Sequence, residues 1–317
     1  MANPLVSVCI PCFNSAQYIA ETLESVLRQT WNPIEIIVVN DGSSDGSDKV
    51  LTDFQRRGIR IENQPNLGQC AAANKALELS SGEYVKFLDA DDLLSATFIE
   101  LQVSRLQGRD DAVASAEWGR FYKDDLSTYR LNPQVVWKDM HATDWLVESW
   151  MGGQPMMQCG LWLIPRLVLD RCGGWDESLS LINDFEFFSR VLCQVNDVLF
   201  AKGAELYYRS GISGSLSSQM SQAAAESAFY SIVRGSDHLL ARRRDPGTEL
   251  ACANMMQSFI YTFYPRYPDL CDLMRRNAEA LGGSRLPFPA GPRLRLLSRV
   301  VGWKNAKRIA TFMQTSM

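Results

Sequence analysis

The chain has 317 residues, 46% hydrophobic and 21% charged, with a net charge of −4. That composition fits a globular enzyme of one large domain or two small ones, and no apolar run is long enough for a membrane-spanning helix. Only two histidines, His141 and His238, are present, which argues against a zinc site or a histidine triad; the acidic body argues against a nucleic-acid partner.

Eight scattered cysteines read as free buried thiols rather than staples. Cys9 and Cys12 have CxxC spacing, but they fall in a strand and its exit rather than at a helix start, where a redox pair is expected. The N-terminus lacks a basic stretch followed by an apolar one, so a cytoplasmic location is expected. Charge is unevenly spread. From Arg285 onward there are seven basic residues and no acidic one, leaving 25 basic against 36 acidic residues in the remainder.

In chain order, Leu5–Ile10 reads as a strand stopped by Pro11, and Ala16–Gln29 as a helix with Ser15 as N-cap. Ile34–Val39 is a continuous apolar run, as expected for a strand covered on both faces. A polar loop, Asn40–Gly46, leads into a helix ending near Phe54. A short strand at Ile59–Glu62, an alanine-rich helix at Gly68–Leu79 and a strand at Glu83–Leu88 follow. The alternation predicts an α/β fold with an open, mostly parallel sheet. Further on come a helix at Ser95–Gln107 and a strand at Ala112–Phe121. The stretch Tyr122–Gln158 is irregular and carries Trp137, Trp145 and Trp150, suited to acceptor binding or to aromatic packing. Asp184–Val195 is helical, Glu205–Arg209 is a short strand, and two or three helices fill Ser217–Leu281. The boundary is expected at 215/216, with a first domain of 1–215 and a helical region of 216–317.

Ligands of such sheets bind beyond the carboxyl ends of the strands. Three polar clusters fall there: Pro11–Asn14, Asn40–Asp45 and Asp89–Asp92. Asp89, Asp91 and Asp92 put three carboxylates within four positions, which repel one another unless a cation or hydrogen bonds compensate. A divalent cation takes such oxygens. A solvated turn, with Asp92 capping the next helix, is the plainer alternative. Asp41 can accept from a base or ribose, and the Asn66–Gln69 turn opens a helix N-terminus that favours phosphate. Neither GxGxxG nor GxxxxGK[ST] is present, so dinucleotide-binding and P-loop readings lack their fingerprints. A second acidic cluster, Gly173-Gly-Trp-Asp-Glu177 with Asn183-Asp-Phe-Glu186, offers Asp184 either as a helix cap or as a general base against aromatic surface. Glu186 can pair with Arg190 one turn on.

The segments Val6-Ser-Val-Cys-Ile-Pro-Cys-Phe-Asn14, Glu24–Thr30, Glu35–Asp45, Asn66-Leu-Gly68, Phe87-Leu-Asp-Ala-Asp-Asp92 and Gly173–Glu177 with Asn183-Asp184 together resemble family 2 glycosyltransferases over about residues 5–210. The resemblance implies a GT-A fold with a helical C-terminal extension, and inverting transfer of a sugar from a nucleotide-diphosphate donor, UDP favoured, to a carbohydrate or lipid-linked hydroxyl, as in cell-surface polysaccharide or glycoconjugate synthesis. By position, Pro11, Phe13 and Asp41 line the nucleotide pocket, with Asn14, Asn66, Gly68 and Asn74 in the donor-binding set. Asp89 contacts the ribose or the metal shell, Asp91 of the Asp-x-Asp motif ligates Mn²⁺ or Mg²⁺, and Asp184 is the base. Two positions depart from the family pattern. Ala73 stands where an Arg often precedes Asn74, and Asn183 stands where Glu usually precedes the Asp. A non-catalytic sugar-nucleotide-binding module is the alternative, and a pyrophosphorylase lacks its Gly-rich basic loop here. The basic tail Gly291–Arg308 suits a helix at an anionic membrane surface or one packed on the domain.

Overall fold

A computed structural model describes residues 3–212 and 220–315, so the expected boundary at 215/216 lies outside the described residues. The first sheet is built from β1 (Val6–Cys12), β2 (Ile34–Asp41), β3 (Arg60–Gln64) and β4 (Tyr84–Phe87), in the order β3-β2-β1-β4 and all parallel. The intervening helices are α1 (Ile19–Leu27), α2 (Ser47–Gln55) and α3 (Gln69–Leu79). β1 is buried along its whole length because it has a parallel strand on both sides.

Two local expectations change. Pro11 does not end β1. The carbonyl of Cys9 faces β4 and accepts from Leu88 N–H, and pairing with β4 ends at Cys9, so Pro11, two residues on and facing the same way, has no ladder bond to lose. Ser15 does not cap α1, which starts only at Ile19. The backbone N–H groups of Ser15 and Ala16 donate to Ser47 Oγ and Asp45 Oδ2, both at 2.9 Å, and this holds the segment out of the helix.

After β5 (Leu93–Leu94) and α4 (Phe98–Leu106), β6 (Ala112–Tyr122) and β7 (Asp125–Leu131) form a hairpin, followed by β8 (Met140–His141) and α5 (Ala142–Trp150). The stretch expected to be irregular thus contains regular elements. β7 is largely solvent-exposed and lacks the apolar alternation that marks a strand. Trp145 and Trp150 pack inside, against Trp162 (ring centroids 5.0 Å apart) and Phe185 (4.5 Å), so aromatic packing accounts for both. β9 (Ile164–Pro165) closes the first sheet beside β4 in antiparallel sense, and α6 (Arg166–Cys172) and α7 (Asn183–Leu192) follow. β10 (Asp197–Ser210) is 14 residues long, far longer than the strand expected at Glu205–Arg209. A register shift between Ala201 and Glu205, around Lys202-Gly203, hides its continuity in the sequence. β10 pairs parallel with β6 and antiparallel with β5 in a second sheet, ordered β5-β10-β6-β7.

Three helices follow: α8 (Gln222–Arg242), α9 (Pro246–Phe263) and α10 (Pro268–Ala280). Buried apolar side chains run without interruption from both sheets into these helices. The tail forms two helices, α11 (Pro292–Val301) and α12 (Trp303–Thr315), separated by Gly302. Among the described residues no helix is long and apolar enough to cross a membrane.

Candidate active site

The carboxyl ends of β1, β2 and β4 meet, as their order requires. Asn14 N–H donates to Ser43 Oγ (2.9 Å) and Asn14 Oδ1 accepts from Ser44 N–H (2.8 Å), joining the first two polar clusters. The Asp41 carboxylate is buried and accepts three bonds: from Gln64 Nε2 (2.7 Å), Leu67 N–H (2.8 Å) and Gly68 N–H (2.9 Å). It therefore braces the Asn66–Gly68 turn that opens α3. Gly42 is required beside it, because a Cβ there would lie 2.8 Å from Asn66 N, and its φ is +72°. Pro11 is buried within β1, whereas Phe13, Asn14 and Asn66 are exposed at the rim.

Beyond β4 four carboxylates gather: Asp89, Asp91, Asp92 and, from the first turn of α7, Asp184. Burial raises the pKa of Asp89, against hydrogen bonds that lower it. Asp91 is pushed up to about 7 by burial and by the charge of Asp89. Asp92 and Asp184 are raised well above the carboxylate range, by burial first and then by their acidic neighbours, with Asp89 acting on both. The cationic counterweight is small. The Arg209 guanidinium, almost wholly buried, is committed to Glu21 (2.7 Å), Asp124 (2.6 Å) and the Asp91 backbone carbonyl (2.8 Å), with the rings of Tyr18 and Phe121 against it.

Two amides hold the acids in place. Gln69 Nε2 donates to Asp89 Oδ1 (2.9 Å), and Gln158 Nε2 donates to both Asp89 Oδ2 (3.0 Å) and Asp92 Oδ2 (2.7 Å). Asp92 also accepts from Arg209 N–H (2.9 Å), so it ties β10 to the cluster instead of capping α4. Among the described residues Asp184 has no side-chain hydrogen-bond donor and the Asp91 carboxylate is reached only by its own backbone N–H.

The loop entering α7 is strained and doubly anchored. Ile182 sits at φ +61°, a conformation costly for a β-branched residue. Ser231 Oγ of α8 donates to the Ile182 carbonyl (2.5 Å) and accepts from Glu186 N–H (3.2 Å), while Ser227 Oγ accepts from the N–H groups of Ser180 and Leu181. On the opposite side Asn183 Nδ2 donates to Gln69 Oε1 and Cys70 Sγ, both at 3.2 Å. The Asn found at position 183 thus links α7 to the amide that holds Asp89. Asn74 lies away from the acids. Its amide grips the Gly173–Glu177 loop through Trp175 N–H (2.7 Å), the Trp175 carbonyl (2.9 Å) and Glu177 (2.9 Å), and a Cβ on Gly174 would lie 2.3 Å from Asn74 Oδ1.

The donor set is hard oxygen with an excess of negative charge, which suits Mg²⁺ or Mn²⁺. Among the described residues no three side chains form a ready-made metal cage.

A mostly parallel α/β sheet with an acidic cluster beyond its strand ends fits an enzyme that binds its ligand at that edge. The Glycosyl transferase family 2 profile matches residues 7–173, and the chain belongs to that family. The matched segment contains the acids of the β4 end and stops short of Asp184. The chain is 32% identical over 155 residues to glycosyltransferase GlyG of Streptococcus pneumoniae, covering 48% of this chain and 50% of GlyG. It is 39% identical over 137 residues to the uncharacterized glycosyltransferase EpsJ of Bacillus subtilis, covering 42% and 38%. The chain thus spans half or less of the length of these two relatives. In structure it is similar to S. aureus TarS 1–349 in complex with UDP-GlcNAc (TM-score 0.63, 17% identity, 95% and 92% covered). It is also similar to the mannosyltransferase PcManGT of Pyrobaculum calidifontis in complex with GDP-Man and Mn²⁺ (TM-score 0.56, 16% identity, 98% and 84% covered).

Gln69, Gln158, Arg209, Ser227 and Ser231 are site-building residues that sequence reasoning passes over. The neutral amides and hydroxyls carry no pattern and Arg209 is one charged residue among many; Gln69 alone falls in a turn that the sequence singles out.

Glu186 anchors the back of the site. Burial pushes its pKa up, but His238 Nε2 (3.0 Å) and Arg190 (2.7 Å) outweigh this and hold it at about 2. Arg190 in turn donates to the carbonyls of Cys172 (2.5 Å) and Gly174 (2.8 Å). A depressed carboxylate adds stability that is full above its unfolded pKa of 4.5 and is lost as pH falls through about 2. Urea unfolding of wild type and Glu186→Gln should therefore differ by about 2–3 kcal/mol at pH 7, and the gap should close between pH 4.5 and 2. A pH-independent gap would show that the charge is not the source.

Proposed function

We propose that this glycosyltransferase moves a sugar from a nucleotide-diphosphate donor, UDP favoured, to a hydroxyl acceptor with inversion, with Asp184 as general base and Asp91, backed by Asp89, holding Mn²⁺ or Mg²⁺. The observation that carries the reading is the pairing of two carboxylates open to ligand, Asp91 and Asp184, with two clamped by amides, Asp89 and Asp92, at the carboxyl ends of a parallel sheet.

An inverting displacement needs a deprotonated acceptor oxygen on one face of the anomeric carbon and a stabilised leaving group on the other. The diphosphate is already a weak base, and a bound divalent cation supplies neutralisation of its developing charge, so no protonating acid is required. Glycoside hydrolysis differs in needing a carboxylic acid for its alkoxide. Burial raises the pKa of Asp184 and so makes its carboxylate a stronger proton acceptor. On the donor side, exposed Phe13 offers an aromatic surface to a base. Asn14, Asp41 and Asn66 supply polar atoms around it, and Gly68 opens the N-terminus of α3 toward phosphate. Pro11 contributes shape behind them, and Asn74 acts through the Gly173–Glu177 loop. Residues 1–215 form the catalytic part and 216–317 a helical part that supports Asp184 through Ser227 and Ser231 and carries the tail.

The tail divides in two. In α12, Trp303 meets Tyr261 and Tyr264 edge-on, Ala306 is fully buried and Lys307 Nζ donates to the Tyr261 carbonyl. In α11, Arg295 and Arg299 are exposed beside Leu296 and Val300, which are 65% and 80% exposed. Basic and apolar residues one turn apart fit an anionic lipid surface, and that contact would bring the enzyme to a lipid-linked acceptor from the cytoplasmic side.

Asp184→Asn should keep donor binding and lose ~10²–10⁴-fold in kcat; transfer at the wild-type rate removes Asp184 from the base role. Asp91→Ala should abolish the Mn²⁺-dependent part of UDP binding in calorimetry, and identical heats for the two proteins would exclude it as a ligand. Leu296→Glu/Val300→Glu should release the protein from anionic vesicles in sedimentation while leaving transfer to a soluble acceptor intact. Equal pelleting of variant and wild type would place any membrane contact elsewhere.

A further inference from the structure

Asp89 and Asp92 are neighbouring carboxyl groups held together by one neutral group. Gln158 is 6% exposed, and its Nε2 gives one hydrogen to each carboxylate. Its Oε1 accepts from Gly160 N–H at 2.8 Å, so the amide is fixed in the orientation that turns its nitrogen toward the acids. The turn carrying it is fixed as well. Lys86 of β4 is fully buried and has no carboxylate partner among the described residues. Its Nζ donates to the Gly160 carbonyl (2.5 Å) and to Gln102 Oε1 (3.2 Å), with the Trp162 carbonyl at 3.4 Å and the Phe98 ring at 4.1 Å. Burial lowers the pKa of this amine well below the usual lysine value, and burying a lysine against backbone carbonyls requires a reason in the surrounding structure. Here it rigidifies the three-residue turn that presents Gln158.

Resting on the metal-dependent reading above, we propose that Gln158 is a positioning residue: it clamps Asp89 and Asp92 at fixed separation in the metal-free enzyme, with Lys86 steadying it through the Gly160 carbonyl. Asp91 and Asp184 are thereby left as the acids open to ligand. Glutamate at position 158 would set an oxygen against two carboxylates, so the amide is required chemically and not only for its shape.

The test is a double-mutant cycle on the full chain without metal, read by urea unfolding. Gln158→Met keeps the length and removes the amide; Asp92→Asn keeps one acceptor oxygen and removes the ionisable carboxyl. The proposal expects Gln158→Met to lower the unfolding midpoint in wild type and to do so by less than half as much in Asp92→Asn. An equal cost in both backgrounds overturns it. Lys86→Met should reduce the coupling between Gln158 and Asp92, and an undiminished coupling removes Lys86 from the device. In calorimetry with UDP present, Gln158→Met should weaken Mn²⁺ binding by about tenfold, the scale of effects at residues that orient metal ligands. Unchanged affinity overturns the positioning role toward the cation. Coupling that persists in a wild type unable to bind Mn²⁺ supports the clamp and counts against the metal reading alone.

Discussion

Four carboxylates crowded at the end of one strand are the constraint around which this molecule is arranged. Their mutual repulsion opposes folding, and burial adds to it, so their pKa values rise. The fold answers with neutral donors more than with charge. Gln69 comes from the start of α3, Gln158 from the turn before β9 and the Arg209 backbone from β10. Each donor lies on a different element, so the acids can be held only once both sheets are in place. The guanidinium of Arg209, the nearest strong cation, is directed away to Glu21, Asp124 and the Asp91 carbonyl. It shapes the loop while leaving the negative field largely intact. Full neutralisation would weaken the proposed cation site.

The same logic extends to the helices after β10. Asp184 enters the cluster from a loop whose Ile182 has an unfavourable backbone conformation, and that conformation persists because Ser227 and Ser231 of α8 saturate the loop's backbone groups. Arg234 of α8 also pairs with Asp176 in the Gly173–Glu177 loop. α8 lies beyond the segment that matches the family, yet it determines where the candidate base sits. The C-terminal helices are therefore part of the site's construction. Small residues along α8 make the close approach possible: a Cβ on Gly235 would lie 2.6 Å from the Phe185 ring.

Much of this was legible in the residues, and the misses have identifiable causes. The first parallel sheet and the clustering of Asn14, Asp41 and Asp89 follow from apolar runs ending in polar loops. Where the reading fell short, non-local contact decided the outcome. Pro11 continues β1 because β4 has already turned away, and β10 runs through an irregularity at Lys202-Gly203 that looks like a loop. β7 is a strand without alternation because it lies in water. Asp92 looked like a helix cap until Gln158 and Arg209, 66 and 117 positions away, were brought to it.

What the sequence by itself determined is the local chemistry: which strands are buried on both faces, where carboxylates concentrate, and which family pattern they follow. Those properties depend on near neighbours and on hydrophobic period. The tertiary structure alone decided which acids are clamped and which are open, that Asn74 serves the Gly173–Glu177 loop, and that Lys86 is buried behind the cluster. These outcomes depend on donors from distant parts of the chain meeting in a low-dielectric interior. There an unpaired polar group is too costly to leave alone, and no spacing along the chain encodes which partner will satisfy it.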